Sequence, residues 1–173
     1  HPWITHEWLS EVLFAWVYGQ IGPGALVVLK VLVIAATFLV VYGSAWRESR
    51  NAWAAVATTA LAAFAARFTY DIRPQLFTYL FLGLCLAAIA RHRQRGDRGL
   101  LLLVPLFCVW ANMHSGFIVG LILLALAAAT MPRHARAFLG TLAVAAAAAL
   151  VTPFHWRGLW FPVEVSRTRL FTD

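Results

Sequence analysis

Basic residues in this chain crowd into alternate gaps between long apolar runs. Arg47 and Arg50 lie in one such gap, Arg91, Arg93, Arg95 and Arg98 in a second, and Arg133 and Arg136 in a third, so that eight of the fourteen basic residues fall in three short stretches. The intervening gaps carry a different set: His6-Glu7-Trp8, Tyr70-Asp71-Ile72-Arg73-Pro74, Trp110-Ala111-Asn112-Met113-His114-Ser115-Gly116 and Thr152-Pro153-Phe154-His155-Trp156-Arg157. Such a chain runs back and forth between two surfaces, one basic and the other holding every polar cluster able to do chemistry. With 62% hydrophobic residues, 12% charged residues and a mean hydropathy of +0.75, a soluble fold of this length could not bury its apolar surface. A bilayer is the solvent this composition calls for. The expected fold class is all-α, a polytopic integral membrane helix bundle forming a single transmembrane domain over 1–173.

The net charge of +7 does not point to nucleic acid. The arginines sit at the ends of apolar spans, where anionic lipid headgroups and the positive-inside rule place them. Membrane lipids are therefore the expected partner. The same rule makes the Arg-rich gaps cytoplasmic and turns the other gaps outward. Cys85 and Cys108 lie inside apolar runs and read as small apolar residues, not as a disulfide framework. The chain begins at His1 without an initiator Met or a signal-peptide pattern, and it reads as a piece of a longer membrane protein.

Residues 6–20 show helical periodicity, with Trp8, Leu9, Val12, Leu13, Trp16 and Val17 on one face and Glu7, Ser10 and Glu11 off it. The spacing predicts an interfacial amphipathic helix, ended by Gly19, Gly22, Pro23 and Gly24. Residues 1–23 then form the end of an outer loop. About six spans follow over 24–152, at 25–46, 52–69, 75–91, 100–113, 115–131 and 137–152. The fourth and fifth should form a tight hairpin with its tip in the outer interface. Gly116 and Gly120 provide a small-xxx-small spacing there, and the alanine tracts 52–66 and 143–149 also allow close packing. Residues 153–173 read as an aromatic, basic tail along the outer interface.

Each outward cluster carries two readings. His6 and Glu7 are either a helix start with an acidic residue favoured by the dipole, or a carboxylate held at the membrane surface as a general base or metal ligand. The zinc-protease pattern His-Glu-x-x-His is absent, because Ser10 holds the second histidine position. Asp71 and Arg73 are either a local ion pair in a capped turn or, through the planar fork of Arg73, a phosphate grip. Asn112 and His114 are either a polar cap for broken helix ends or intramembrane functional groups. Arg157 is either a headgroup contact or a second phosphate ligand. His6, His114 and His155 share this face, which also suits a divalent metal. Lys30 is the one charge well inside a span, near its outer end. Transporters place acidic or histidine groups at mid-depth, so the apolar interiors argue against transport.

The stretches His6-Glu7-Trp8-Leu9-Ser10-Glu11, Arg73-Pro74-Gln75-Leu76-Phe77, Trp110-Ala111-Asn112-Met113-His114-Ser115-Gly116-Phe117 and Thr152-Pro153-Phe154-His155-Trp156-Arg157 resemble a group of bacterial polytopic proteins. That group is similar to GT-C-type glycosyltransferases, the class of protein mannosyltransferases and aminoarabinose transferases. The resemblance covers essentially the whole chain and departs at two places. The group more often shows Asn-Pro-Tyr-Gly at Thr152–His155, and often Gly at Ser115. It implies transfer of a hexosyl or pentosyl unit from a polyprenyl-phosphate donor at the outer face. It also implies Glu7 as the nearest candidate for the catalytic carboxylate, although the usual acidic residue lies nearer the first span, upstream of His1. Substrate contacts would come from His6, Asp71, Arg73, Asn112, His114, His155 and Arg157. No cofactor is implied beyond a divalent metal in some members. The rival expectation is a non-catalytic assembly or lipid-binding module of a cell-envelope pathway. A transporter or flippase is the weakest of the three.

Overall fold

Helix-breaking residues set the first boundaries. In the computed structural model, described for residues 7–96 and 98–153, helix α1 (Trp8–Ile21) ends at Gly22, whose φ of 98° only glycine adopts without strain. Pro23 then opens α2 (Pro23–Ser49) from its first helical position. The turn into α3 (Ala52–Ala66) is made by Arg50 in the left-handed region and by Asn51. The Asn51 side chain accepts from the backbone N–H groups of Trp53 at 2.9 Å and Ala54 at 3.2 Å. A 3₁₀ turn (Arg67–Thr69) extends α3, and α4 (Gln75–Arg95) ends at Gly96, again left-handed. The rest is shorter: a 3₁₀ turn (Arg98–Leu102), α5 (Leu103–Met113), α6 (Phe117–Thr130), a 3₁₀ turn (Pro132–His134) and α7 (Ala135–Ala149). All regular structure among the described residues is helical.

The number of full-length spans differs from the sequence expectation. Three helices are long and apolar enough to cross a membrane: Pro23–Ser49, Ala52–Thr69 and Gln75–Arg95. The predicted fourth, fifth and sixth spans correspond to shorter helices. At 1.5 Å per residue, α6 (14 residues) and α7 (15 residues) run about 21 and 22 Å, against a hydrocarbon core of about 30 Å. They meet at Met131 with a bend of 112°, the geometry of a broken span or of a re-entrant loop. The bend falls in the gap that holds Pro132, Arg133 and Arg136, between the fifth and sixth expected spans.

The two-surface arrangement does emerge. At one end Arg93 of α4 reaches Glu48 of α2, and His92 packs edge-on against His134 with ring centres 5.2 Å apart. All three Arg-rich gaps therefore meet. At the other end Glu7 and Trp8 meet Asn112 and His114, as described below. Between the ends the outer surface is apolar: Trp53, Phe68, Leu39 and Leu61 are all more than two-thirds exposed. A bilayer-embedded bundle presents such a surface to lipid.

The main core joins α4, α5, α6 and α7 around Phe107, Trp110, Leu124, Phe138 and Cys85, all fully buried. The expected close approach at Gly120 is present. A Cβ there would lie 2.7 Å from ring atoms of both Phe107 and Trp110. Gly120→Ala gains helix propensity of about 1 kcal/mol. It forces two immobile rings apart at about 1–3 kcal/mol, so thermal unfolding in detergent should show net destabilisation. The alanine tracts also pack, through Ala55 against α2 and Ala145 and Ala149 in the core.

The packed face of α1 corrects the helical-wheel expectation. Val12 and Trp16 are 55% and 59% exposed, whereas Ser10, placed off the apolar face, is fully buried. Its hydroxyl donates to the carbonyl of Met113 at 2.8 Å. Met113 ends α5, so that carbonyl has no partner within its own helix, and satisfying it draws Ser10 inward. Phe14 stacks on Phe77 of α4 at 5.8 Å along the same packed face.

Candidate functional site

The start of α1 is held against the α5–α6 turn by indole and amide hydrogen bonds. Trp8 Nε1–H donates to Asn112 Oδ1 at 2.8 Å. The Asn112 amide donates in turn to the carbonyls of Cys108 at 2.8 Å and Val151 at 2.9 Å. Asn112, 7% exposed, therefore ties α1, α5 and the end of α7 together. All its polar atoms are engaged in the scaffold, which is the polar-cap reading of this residue.

That clamp positions Glu7. Glu7 precedes α1 at its N-cap but makes no capping hydrogen bond with its side chain. Its Oε1 lies 3.3 Å from His114 Nε2, with the two side chains 24% and 20% exposed. The simple helix-start reading of Glu7 is thus incomplete, because the carboxylate turns to the histidine.

The other face of His114 defines its proton. The Gly116 backbone N–H donates to Nδ1 at 2.8 Å, so Nδ1 carries the lone pair and the ring proton sits on Nε2, facing Glu7. Thr78 Oγ1 lies 3.0 Å from the same Nδ1 and accepts from Trp110 Nε1–H at 3.0 Å. Trp110 is fully buried, and its indole N–H would be orphaned without this hydroxyl. A directed chain results: Trp110 to Thr78, Thr78 and Gly116 to His114, His114 to Glu7. Gly116 is required here, since a Cβ would fall 2.6 Å from Thr78 and 2.9 Å from His114 Nδ1. Ring-¹⁵N NMR at neutral pH should show His114 as the Nε2–H tautomer in the parent and in Thr78→Ser. Thr78→Val should lose about 1–3 kcal/mol of stability through the stranded indole N–H. An Nδ1–H tautomer in the parent would refute the chain.

Thr78 and Trp110 were not singled out from the sequence as functional groups. The available signal was Thr78, a small hydroxyl residue in the run Leu76–Leu80, which reads locally as an ordinary span residue.

The remaining expected residues stand apart or beyond view. Asp71 and Arg73 pair with each other at 3.9 Å in the α3–α4 connection, both more than two-thirds exposed. They precede the first turn of α4, which carries Thr78, and so lie at the same end of the bundle. Nearby, burial raises the pKa of the Tyr70 phenol, with Tyr79 adding to the effect, and its hydroxyl donates to the Ala63 carbonyl at 2.9 Å. His6, His155, Arg157 and the expected tail lie outside the described residues. No group of three metal-ligating side chains occurs among the described residues.

An open apolar groove of about 420 Å³ runs beside the clamp, walled by Trp8, Cys108, Val109, Asn112, Val151 and Pro153. It therefore borders the Glu7–His114 pair through Trp8 and Asn112. No protein-family model, curated protein or solved structure matches this chain.

Proposed function

We propose that this protein is a GT-C-like membrane glycosyltransferase that takes a sugar from a polyprenyl-phosphate donor at the polar end of the bundle. The observation that carries the reading is the Glu7–His114 pair, partly shielded at that end beside an apolar groove. In the proposed reaction an acceptor hydroxyl attacks the anomeric carbon. The new C–O bond forms as the bond from that carbon to the phosphate oxygen breaks. The hydroxyl proton passes to Glu7, and polyprenyl phosphate leaves. His114, donating from Nε2, holds the carboxylate in place until it accepts the proton. Arg73, exposed at the same end, neutralises the departing phosphate, and the isoprenoid lies in the groove.

On this reading the protein sits in a bacterial inner membrane with the Arg-rich end cytoplasmic. Six crossings then require a bilayer locally thinned beside α5, α6 and α7. A divalent metal would enter only through residues beyond those described, His6 and His155 among them. The test is sugar release from polyprenyl-phosphate-sugar donors in proteoliposomes. Turnover supports the enzyme. No turnover with any donor by folded protein favours the non-catalytic assembly or lipid-binding module, a reading supported by the full engagement of Asn112 in the scaffold.

A further inference from the structure

Helices α3 and α4 both pack along α2 but hardly touch each other. The small side chains of α3 leave the space between them unfilled. A pocket of about 150 Å³ results, walled by Ile34 and Phe38 from α2, Ala62 and Ala66 from α3, and Leu76 and Leu82 from α4. Leu76 is buried and the other five are half-buried. Along α4 the wall runs about 9 Å, from Leu76 to Leu82. An apolar cavity of about this volume takes a benzene-sized group in preference to water.

Two tyrosines stand at the polar end of the pocket, and their hydroxyls differ. Tyr70 sets its ring edge-on to Phe38, with centres 6.1 Å apart, and donates its O–H to the Ala63 carbonyl at 2.9 Å. Thr37, also in the wall, donates to the Val33 carbonyl at 2.8 Å. The Tyr79 oxygen accepts from the Gln75 side-chain amide at 2.8 Å, one turn nearer the start of α4. The Tyr79 O–H itself has no acceptor among the described residues. A hydrogen-bond donor therefore sits at the polar rim, above an apolar interior.

The surroundings decide which ligand. The three walling helices are those long and apolar enough to cross a membrane, so the mouth opens on hydrocarbon. Tyrosines mark the headgroup level, where the ester carbonyls of phospholipids also lie. Arg67 follows Ala66 directly and holds its guanidinium 3.9 Å over the Phe64 ring and 4.1 Å over the Phe68 ring, a cation at that level for a lipid phosphate. An isoprenoid chain brings no carbonyl to the rim. An acyl ester supplies both the chain and the acceptor.

We infer that the α2–α3–α4 pocket binds an acyl chain of an ester-linked phospholipid, whose ester carbonyl accepts from the Tyr79 O–H. The site uses none of the residues assigned to sugar transfer and does not depend on that reading. The test is photocrosslinking in proteoliposomes with phosphatidylcholine carrying a diazirine on its acyl chain, the adducts being mapped by peptide mass spectrometry. Adducts should concentrate on Ala62, Ala66 and Leu82 over the exposed neighbours Leu39 and Leu61. Ala62→Leu/Ala66→Leu fills the pocket and should remove most of those adducts while leaving the ones on Leu39 and Leu61, with folding checked by thermal unfolding in detergent. In the parent the ester lipid should label the pocket roughly threefold more than its ether-linked analogue, the worth of one hydrogen bond in a bilayer. In Tyr79→Phe, which keeps the wall and loses the donor, the two lipids should label alike. Adducts spread evenly over the pocket and over Leu39 and Leu61 would mean ordinary boundary lipid and would overturn the site. Equal labelling of the parent by ester and ether lipids would overturn it too, as would displacement of the phospholipid by an equimolar polyprenyl phosphate.

Discussion

Glu7→Gln should lower sugar transfer by roughly 10²- to 10⁴-fold, the range for removal of a general base. The substitution keeps the side-chain shape, and its amide oxygen still accepts from His114 Nε2–H. Only the capacity to take a proton is lost. Folding should be unaffected, because the Glu7 side chain caps no helix N–H and is only partly buried. The loss should appear in kcat with little change in KM, since a base acts in the transition state. His114→Ala should also slow transfer, by a smaller factor, because it removes the donor that orients the carboxylate while leaving the base. Donor turnover in proteoliposomes reads both variants. Turnover insensitive to Glu7→Gln would leave an enzyme whose base lies elsewhere.

Asn112→Ala should destabilise the bundle by about 2 kcal/mol and loosen α1 first. Three hydrogen bonds are lost together, from Trp8 and to the carbonyls of Cys108 and Val151. Polar bonds between helices in bilayers average about 0.6 kcal/mol each, and stranding the Trp8 N–H adds to that sum. Limited proteolysis should then cut within or just before α1 at lower temperature than in the parent, and thermal unfolding in detergent should shift down. Ser10→Ala should act in the same direction by freeing the Met113 carbonyl. Full stability in Asn112→Ala combined with weakened donor binding would instead return Asn112 to substrate contact.

Much of the architecture could be read from neighbouring residues. Gly22-Pro23 and Gly96 end helices through their own backbone preferences and Asn51 opens one through its capping side chain, and each stands where a boundary occurs. The expected site was legible only in part. Glu7 and His114 were flagged singly, but their pairing was not, and Thr78 was missed because its partners, Trp110 and His114, come from the end of α5, far away in the sequence. The helical wheel put Leu9, Leu13 and Val17 on the packed face of α1, where they are, but misplaced Val12, Trp16 and Ser10. Apolarity alone cannot tell a face turned to lipid from a face turned to protein when both surroundings are equally apolar.

The sequence by itself determined that the chain is helical, that long apolar helices run through it, and that arginines gather at one end and the polar clusters at the other. Those properties are carried along the chain, by composition within a run and by charge at its ends. Only the tertiary structure decided that α5, α6 and α7 fall short of full spans, that Asn112 is a clamp, and that Glu7 meets His114. The last contact joins residues far apart in the sequence. It exists because a buried serine and an indole N–H dock α1 onto the end of α5, and no local pattern encodes that docking.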